Sequence, residues 1–208
     1  ARLEEAEEAR TVLAALHGTF SRVGLPMRLN SDRASWAFHT PKAGGKIDKS
    51  NLTQVGRALH RLGVEHVAAY TPQARGRSER AFGTLQDRLA GEMKANGITR
   101  VTQANRYISG RFIPMWNRKF GHEPKDPLSV FVRFGNVDLN QILCLEDQRT
   151  VYKDNIVRCD PNFFQIEKQP DRRTMANRSV IVRQHSDGTY SIWLGKQPLG
   201  KYTKTGKL

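Results

Sequence analysis

Between Leu52 and Met93 the apolar pattern changes period twice, and that alternation constrains the fold more than any other feature of the chain. Leu52, Val55, Leu59 and Leu62 recur at three- and four-residue steps, as on a helix with one buried stripe, and Gly63 stops the run. Val64 to Tyr70 alternates loosely, as a strand does. Phe82, Leu85, Leu89 and Met93 then return to helical spacing. Upstream, residues 3–23 read as a helix with Val12, Leu13, Leu16 and Phe20 on one face. Its glutamates (Glu4, Glu5, Glu7, Glu8) lie near the start, where the helix dipole favours acids and a surface role suffices. Gly24-Leu25-Pro26 ends that helix, and Met27 to Asn30 reads as a short strand. Helix, strand, helix, strand, helix predicts an α/β layer with strands packed between helices.

A further helix is predicted over 102–116, with Tyr107, Ile108, Phe112 and Trp116 inward. After Pro127 the texture changes to short β-type runs at 141–145, 149–153, 155–159, 162–167, 179–184 and 190–194. Asp154-Asn155, Asp160-Pro161 and the hairpin-type Asp187-Gly188 break them. Strands at this spacing make a small all-β barrel-like or sandwich unit. The predicted organisation is an α/β domain over 1–124, a linker over 125–139 and a β domain over 140–208 that ends in a loose basic tail from Lys201.

Charge narrows the partners. The 208 residues carry 34 Lys and Arg against 20 Asp and Glu, a net charge of +14. Residues 71–119 hold ten of the basic residues and three acids, about half of the whole excess. Such a concentration fits nucleic acid first and an anionic membrane second. No run approaches the roughly 18 apolar residues of a membrane span, so a membrane partner is not expected. Cys144 and Cys159 are too far apart in sequence from each other and from any histidine pair to spell a zinc site, and reduced thiols in the cytoplasm are the default. The six histidines show no ligand spacing.

Two carboxylates stand out. Asp32 directly follows the strand at 27–30, and ligands collect beyond strand ends in open α/β sheets. A turn or cap residue is the plain alternative for it. Glu79 lies in Thr71-Pro72-Gln73-Ala74-Arg75-Gly76-Arg77-Ser78-Glu79-Arg80. Pro72 and Gly76 predict a non-helical basic loop, with Glu79 about one turn into the helix that follows. A lone carboxylate among Arg75, Arg77 and Arg80 suits a cation held beside a polyanion. It equally suits an acid at a helix start with solvated arginine partners. Lys42, Gly44, Gly45, Lys46 and Lys49 predict a mobile basic loop over 39–51.

Taken together, Asp32 after a strand, Pro-Gln-Ala-Arg-Gly-Arg-Ser-Glu-Arg leading into Ala81-Phe82-Gly83-Thr84-Leu85-Gln86-Asp87-Arg88-Leu89, and Trp116-Asn117-Arg118-Lys119-Phe120 carry a resemblance. The chain resembles bacterial insertion-sequence transposases of the Asp-Asp-Glu, retroviral integrase-like type over roughly residues 10 to 165, most specifically over 71–89. The resemblance implies a ribonuclease H-like core and DNA strand cleavage and joining by direct phosphoryl transfer. It also implies Mg²⁺ (or Mn²⁺) as cofactor. Asp32 matches the family's second aspartate and Glu79 its glutamate, as catalytic and metal-binding residues. Arg75, Arg77, Arg80, Arg118 and Lys119 are the expected DNA-backbone contacts. The partners implied are transposon-end and target DNA, with a homo-oligomer on DNA, in the bacterial cytoplasm at the nucleoid. The family's first aspartate has no match, nor have the first strands of its fold, so a partial, N-terminally truncated core without turnover is expected. The other reading is a non-enzymatic basic DNA-binding remnant whose carboxylates are structural.

Overall fold

A computed structural model describes residues 2–42, 45–123, 125–126, 128–170 and 174–206; the side chains of Pro72, Ala74, Arg75 and Arg77 fall outside that description. The chain is mixed α/β. Helix α1 (Ala9–Val23) is followed by strand β1 (Arg28–Ser31), helix α2 (Gln54–Arg61), strand β2 (Glu65–Ala68) and helix α3 (Pro72–Ala95). The two strands pair in parallel, with Arg28 opposite Glu65 and Ser31 opposite Ala68. A parallel pair needs a crossover, and α2 provides it. Thr53 starts α2 by accepting the Gly56 N–H at its hydroxyl (3.1 Å), while that hydroxyl donates to Ala37 O (3.0 Å). Leu13 and Phe20 of α1 meet Val55, Ala58 and Leu59 of α2 in one buried cluster, together with Leu139 and Leu143.

Three helix boundaries differ from the sequence expectation. Residues 2–7 do not extend α1, because Asn105 straps Leu3 through both its backbone groups (2.7 and 2.9 Å) and Thr11 caps the helix at Glu8 (3.1 Å). Helix α3 begins at Pro72, so neither Pro72 nor Gly76 keeps the stretch out of helix. Proline is tolerated in a first turn, where its missing N–H has no partner to lose, and one glycine costs only about 1 kcal/mol against alanine. The predicted 102–116 helix is α4 (Val101–Tyr107), a π-helical turn (Ile108–Phe112) and α5 (Ile113–Phe120) in unbroken succession. Pro114 lacks the N–H that Gly110 O would receive, and the Ile113 N–H reaches back to Ile108 O, five residues earlier. Among the described residues no helix is long and apolar enough to cross a membrane.

The C-terminal region holds α6 (Leu139–Ile142), β3 (Leu145–Thr150), β4 (Ile156–Cys159), β5 (Asn162–Gln165), β6 (Ser179–Gln184), β7 (Tyr190–Leu194) and β8 (Gln197–Tyr202). The predicted run at 141–145 is helical at its start. Asp138 caps it by accepting the Asn140 N–H (2.9 Å), and Leu139 and Leu143, four residues apart, enter the α1–α2 core. Strands β3, β6, β7 and β8 form an open antiparallel sheet in the order β3-β6-β7-β8, and β4–β5 is a separate hairpin. The expected barrel-like closure is therefore absent among the described residues. The hairpin instead lays Val157 and Phe164 on Val180, Val182, Tyr190, Ile192, Leu199 and Tyr202 of the sheet, which buries the face a barrel would enclose. Lys201 and Tyr202 belong to β8 and not to a loose tail; Lys207 and Leu208 lie outside the described residues. Pro198 and Gly200 hide β8 in the sequence, and an edge strand is where a proline is admitted.

Candidate functional site

Strands β1 and β2 end together, and what leaves their C-terminal edge is the candidate site. The Ala69 N–H donates to Ser31 O (2.9 Å), extending the pairing one residue past β2. Asp32 is the first residue off β1. It is half-buried, and its Oδ1 accepts the Ala34 N–H at 3.2 Å. The turn role foreseen for Asp32 is thus present.

Ser31 holds the strand end from both sides. Its hydroxyl donates to Asp32 O (2.9 Å) and lies 2.9 Å from His66 Nε2 on β2. With the hydroxyl proton committed to that carbonyl, the imidazole donates from Nε2 and Nδ1 is the bare acceptor. Nδ1 is buried without a hydrogen-bond partner among the described residues, and the ring stacks on Phe38 at 4.2 Å between centroids. Burial pushes the His66 pKa down to about 4, so the ring is neutral at physiological pH. Nothing in its sequence spacing marks His66; its position on the strand facing Ser31 does.

Arg33 and Tyr70 close the edge. The Arg33 guanidinium lies 5.1 Å over the Tyr70 ring and donates from Nη1 to Gly45 O (2.8 Å). The Ile47 N–H reaches the Tyr70 hydroxyl at 3.4 Å. Residues 39 and 48 also form an antiparallel bridge (Asp48 N–H to His39 O, 2.7 Å). The basic loop foreseen as mobile is therefore folded back onto the edge at its described residues; Ala43 and Gly44 lie outside them.

Helix α3 departs from the same edge, starting four residues after β2. Glu79 is its eighth residue, about two turns and not one from the start, roughly 10 Å along the axis at 1.5 Å per residue. It is exposed. Arg75 and Arg77 stand on the first turns, with their side chains outside the description. Arg80 is exposed and donates from Nε to Gly76 O (3.1 Å), lying back along its own helix. The apolar stripe buries Leu89, while Phe82 remains 62% exposed, so the first half of α3 stands clear of the core.

Arg118 and Lys119 occupy the last turn of α5, where cations suit the helix dipole. Lys119 Nζ lies 5.7 Å from the Phe120 ring, which Arg88 of α3 covers at 4.9 Å. The α5 end and the middle of α3 thus share a basic surface. Sequence reasoning missed Arg88, since it is the packing of Leu89 with Ile108 and Phe112 of the π-helical turn, and with Trp116 of α5 against them, that brings α3 and α5 together.

Asp32 and Glu79 are two carboxylates on elements leaving one edge. Among the described residues no group of three or more His, Cys, Asp or Glu side chains could hold a metal ion. A pair of Mg²⁺ ions wants more oxygen ligands than two side chains supply, so these residues alone do not complete such a site.

The chain is similar in sequence to two curated proteins. The y4bF protein of Sinorhizobium fredii is 30% identical over 197 residues, which is 93% of this chain and 42% of that protein. The transposase of insertion sequence IS1202 from Streptococcus pneumoniae is 32% identical over 136 residues, 65% of this chain and 29% of that protein. Both relatives carry the name transposase. The chain is related by sequence to proteins named as transposases and spans less than half the length of these relatives. No protein-family profile matches it.

Proposed function

We propose that this chain is a transposase segment of the Asp-Asp-Glu integrase-core type, with β1, β2 and α3 belonging to a ribonuclease H-like core. In this reading Asp32 and Glu79 are two of the carboxylates that hold divalent metal, and Arg75, Arg77, Arg80, Arg118 and Lys119 hold DNA phosphates. The observation that carries it is the shared strand edge from which both Asp32 and α3 leave, in a chain related to transposases. When bound, a metal pair stabilises the attacking and leaving oxygens of an in-line displacement at phosphorus. This chain's own residues hold the edge: His66 and Ser31 fix the Asp32 backbone, while Arg33 and Tyr70 keep the 39–51 loop against it.

With two carboxylates, the chain binds Mn²⁺ weakly and does not turn over; a third acidic ligand is needed. The test is Mn²⁺ titration of the labelled 208-residue chain by NMR. Paramagnetic broadening is expected to centre on Asp32 and Glu79 and to weaken in both Asp32→Asn and Glu79→Gln. Broadening that ignores both substitutions overturns the metal assignment. Mn²⁺-dependent nicking of DNA that Glu79→Gln abolishes would overturn the expected inactivity. One observation favours the second reading, a non-enzymatic DNA-binding remnant: Asp32 already serves as a turn acceptor for Ala34. Unaltered DNA affinity on adding metal, with no broadening at either carboxylate, selects it.

A further inference from the structure

The hairpin β4–β5 turns Val157 and Phe164 inward at 0% exposure and presents Arg158 and Phe163, its directly opposed cross-strand pair, to solvent. Tyr152, just past β3, joins them. The Arg158 guanidinium lies 4.8 Å over the Tyr152 ring and 5.5 Å from the Phe163 ring, between two aromatic side chains that are 50% and 55% exposed. Tyr152 and Arg158 line an open groove of about 760 Å³ together with Arg149, Lys153 and Asp154, and Phe163 lies beside that lining against Arg158. Arg149 is ion-paired with Asp147, and Asp154 accepts the Ile156 N–H (3.1 Å). Arg158 and Lys153 supply the groove's remaining positive charge.

A guanidinium held by aromatic faces keeps its N–H edge for an anion, and its orientation is set before the anion arrives. Half-exposed rings beside such a cation are platforms on which an unpaired base stacks, and every base has a face to offer. Bases inside a duplex are already stacked, so a duplex engages only the charges. We propose that this groove binds single-stranded nucleic acid, with phosphates on Arg158 and Lys153 and a base on Tyr152 or Phe163. The site stands apart from the sheet edge carrying Asp32 and needs no metal.

The test uses the whole 208-residue chain, a labelled oligothymidylate and a labelled duplex, with fluorescence anisotropy across a salt series. Replacing Tyr152 and Phe163 together by leucine is expected to weaken oligothymidylate binding about tenfold and leave duplex binding unchanged. Replacing Lys153 and Arg158 by alanine is expected to flatten the single-strand salt slope by about 1.4, at roughly 0.7 per phosphate. Unchanged oligothymidylate affinity in both pairs, or equal losses on duplex and single strand in the leucine pair, overturns the proposal. Should the leucine pair fail to fold, ultraviolet crosslinking of bromodeoxyuridine oligomers to the unaltered chain decides: adducts at Tyr152 or Phe163 support the groove, and adducts only elsewhere refute it. Arg118→Ala with Lys119→Ala reads the α5 surface separately, so failure there bears on the duplex reading alone.

Discussion

The sheet β3-β6-β7-β8 buries Val180, Val182 and Ile192 to 2% exposure or less, whereas no residue of β1 or β2 is fully buried. The larger sheet carries its own cover, the β4–β5 hairpin. The two-stranded pair does not; it leans on α1 and α2, and a sheet of two strands is marginal by itself. Its second support is polar. Gln54, Arg57 and Arg61 share one face of α2 and meet β3. Gln54 exchanges hydrogen bonds with the Glu146 backbone (2.7 and 3.0 Å), and Glu146's carboxylate receives Arg61 (2.6 Å), Arg183 (2.9 Å) and Arg57 as an ion pair (3.2 Å). The contrast shows a well-packed C-terminal layer steadying a thin strand pair, at whose edge the candidate chemistry lies. Sites of that kind sit where local stability is lowest.

The comparison can be broken first at Phe164. Phe164→Ala empties the centre of the C-terminal core and is expected to cost about 3–5 kcal/mol in urea unfolding. A loss below about 1 kcal/mol shows that layer to be loosely packed. Glu146→Ala comes next, at about 3 kcal/mol, because it leaves Arg57 and Arg183 largely buried without their anion. Burial raises the Glu146 pKa, but the Arg61 hydrogen bond and the charges of Arg57, Arg61 and Arg183 outweigh it, so the carboxyl sits below the usual range. Its stabilisation is complete above the unfolded value of about 4.3 and is lost as pH falls through the lower folded value. In Glu146→Ala that acid-side loss disappears.

At neutral pH a smaller effect belongs to His66. Its folded pKa of about 4 lies below the unfolded value near 6.5, so the unfolded chain binds more protons between the two. Stability therefore falls as pH drops from about 6.5 to about 4. Melting temperatures of His66→Gln against pH should be flatter over that window; an identical slope assigns the proton uptake elsewhere. The smallest effect is expected at Phe82, 62% exposed on α3, where alanine should change stability by less than about 0.5 kcal/mol. A loss above 1 kcal/mol shows that the first half of α3 is packed after all.

Periodicity made the alternation of α1, β1, α2, β2 and α3 legible, as well as β6 and β7 with their Asp187-Gly188 turn, because each element writes its apolar face in nearby residues. The polar face of α2 was not legible. Gln54, Arg57 and Arg61 look like solvated charge until Glu146, 85 residues beyond Arg61, is set against them. The start of α3 was misread because proline disfavours a helix interior but not a first turn. Asp32 could be placed from the strand before it, while His66 and Tyr70 gained a part only through strand register and loop closure. Tyr152, Arg158 and Phe163 form a cluster because a hairpin pairs two of them, which composition does not encode.

The wide turn at Ile108–Phe112 has a rotational consequence. A π-type turn holds one residue more than an α-turn, and each residue of an α-helix advances the side chains by about 100°. Everything downstream, including Arg118 and Lys119, is thereby dialled round the axis relative to α4. Rewinding that turn as ordinary α-helix with every residue kept would swing the basic pair about a quarter-turn from where Phe120 and Arg88 now meet it.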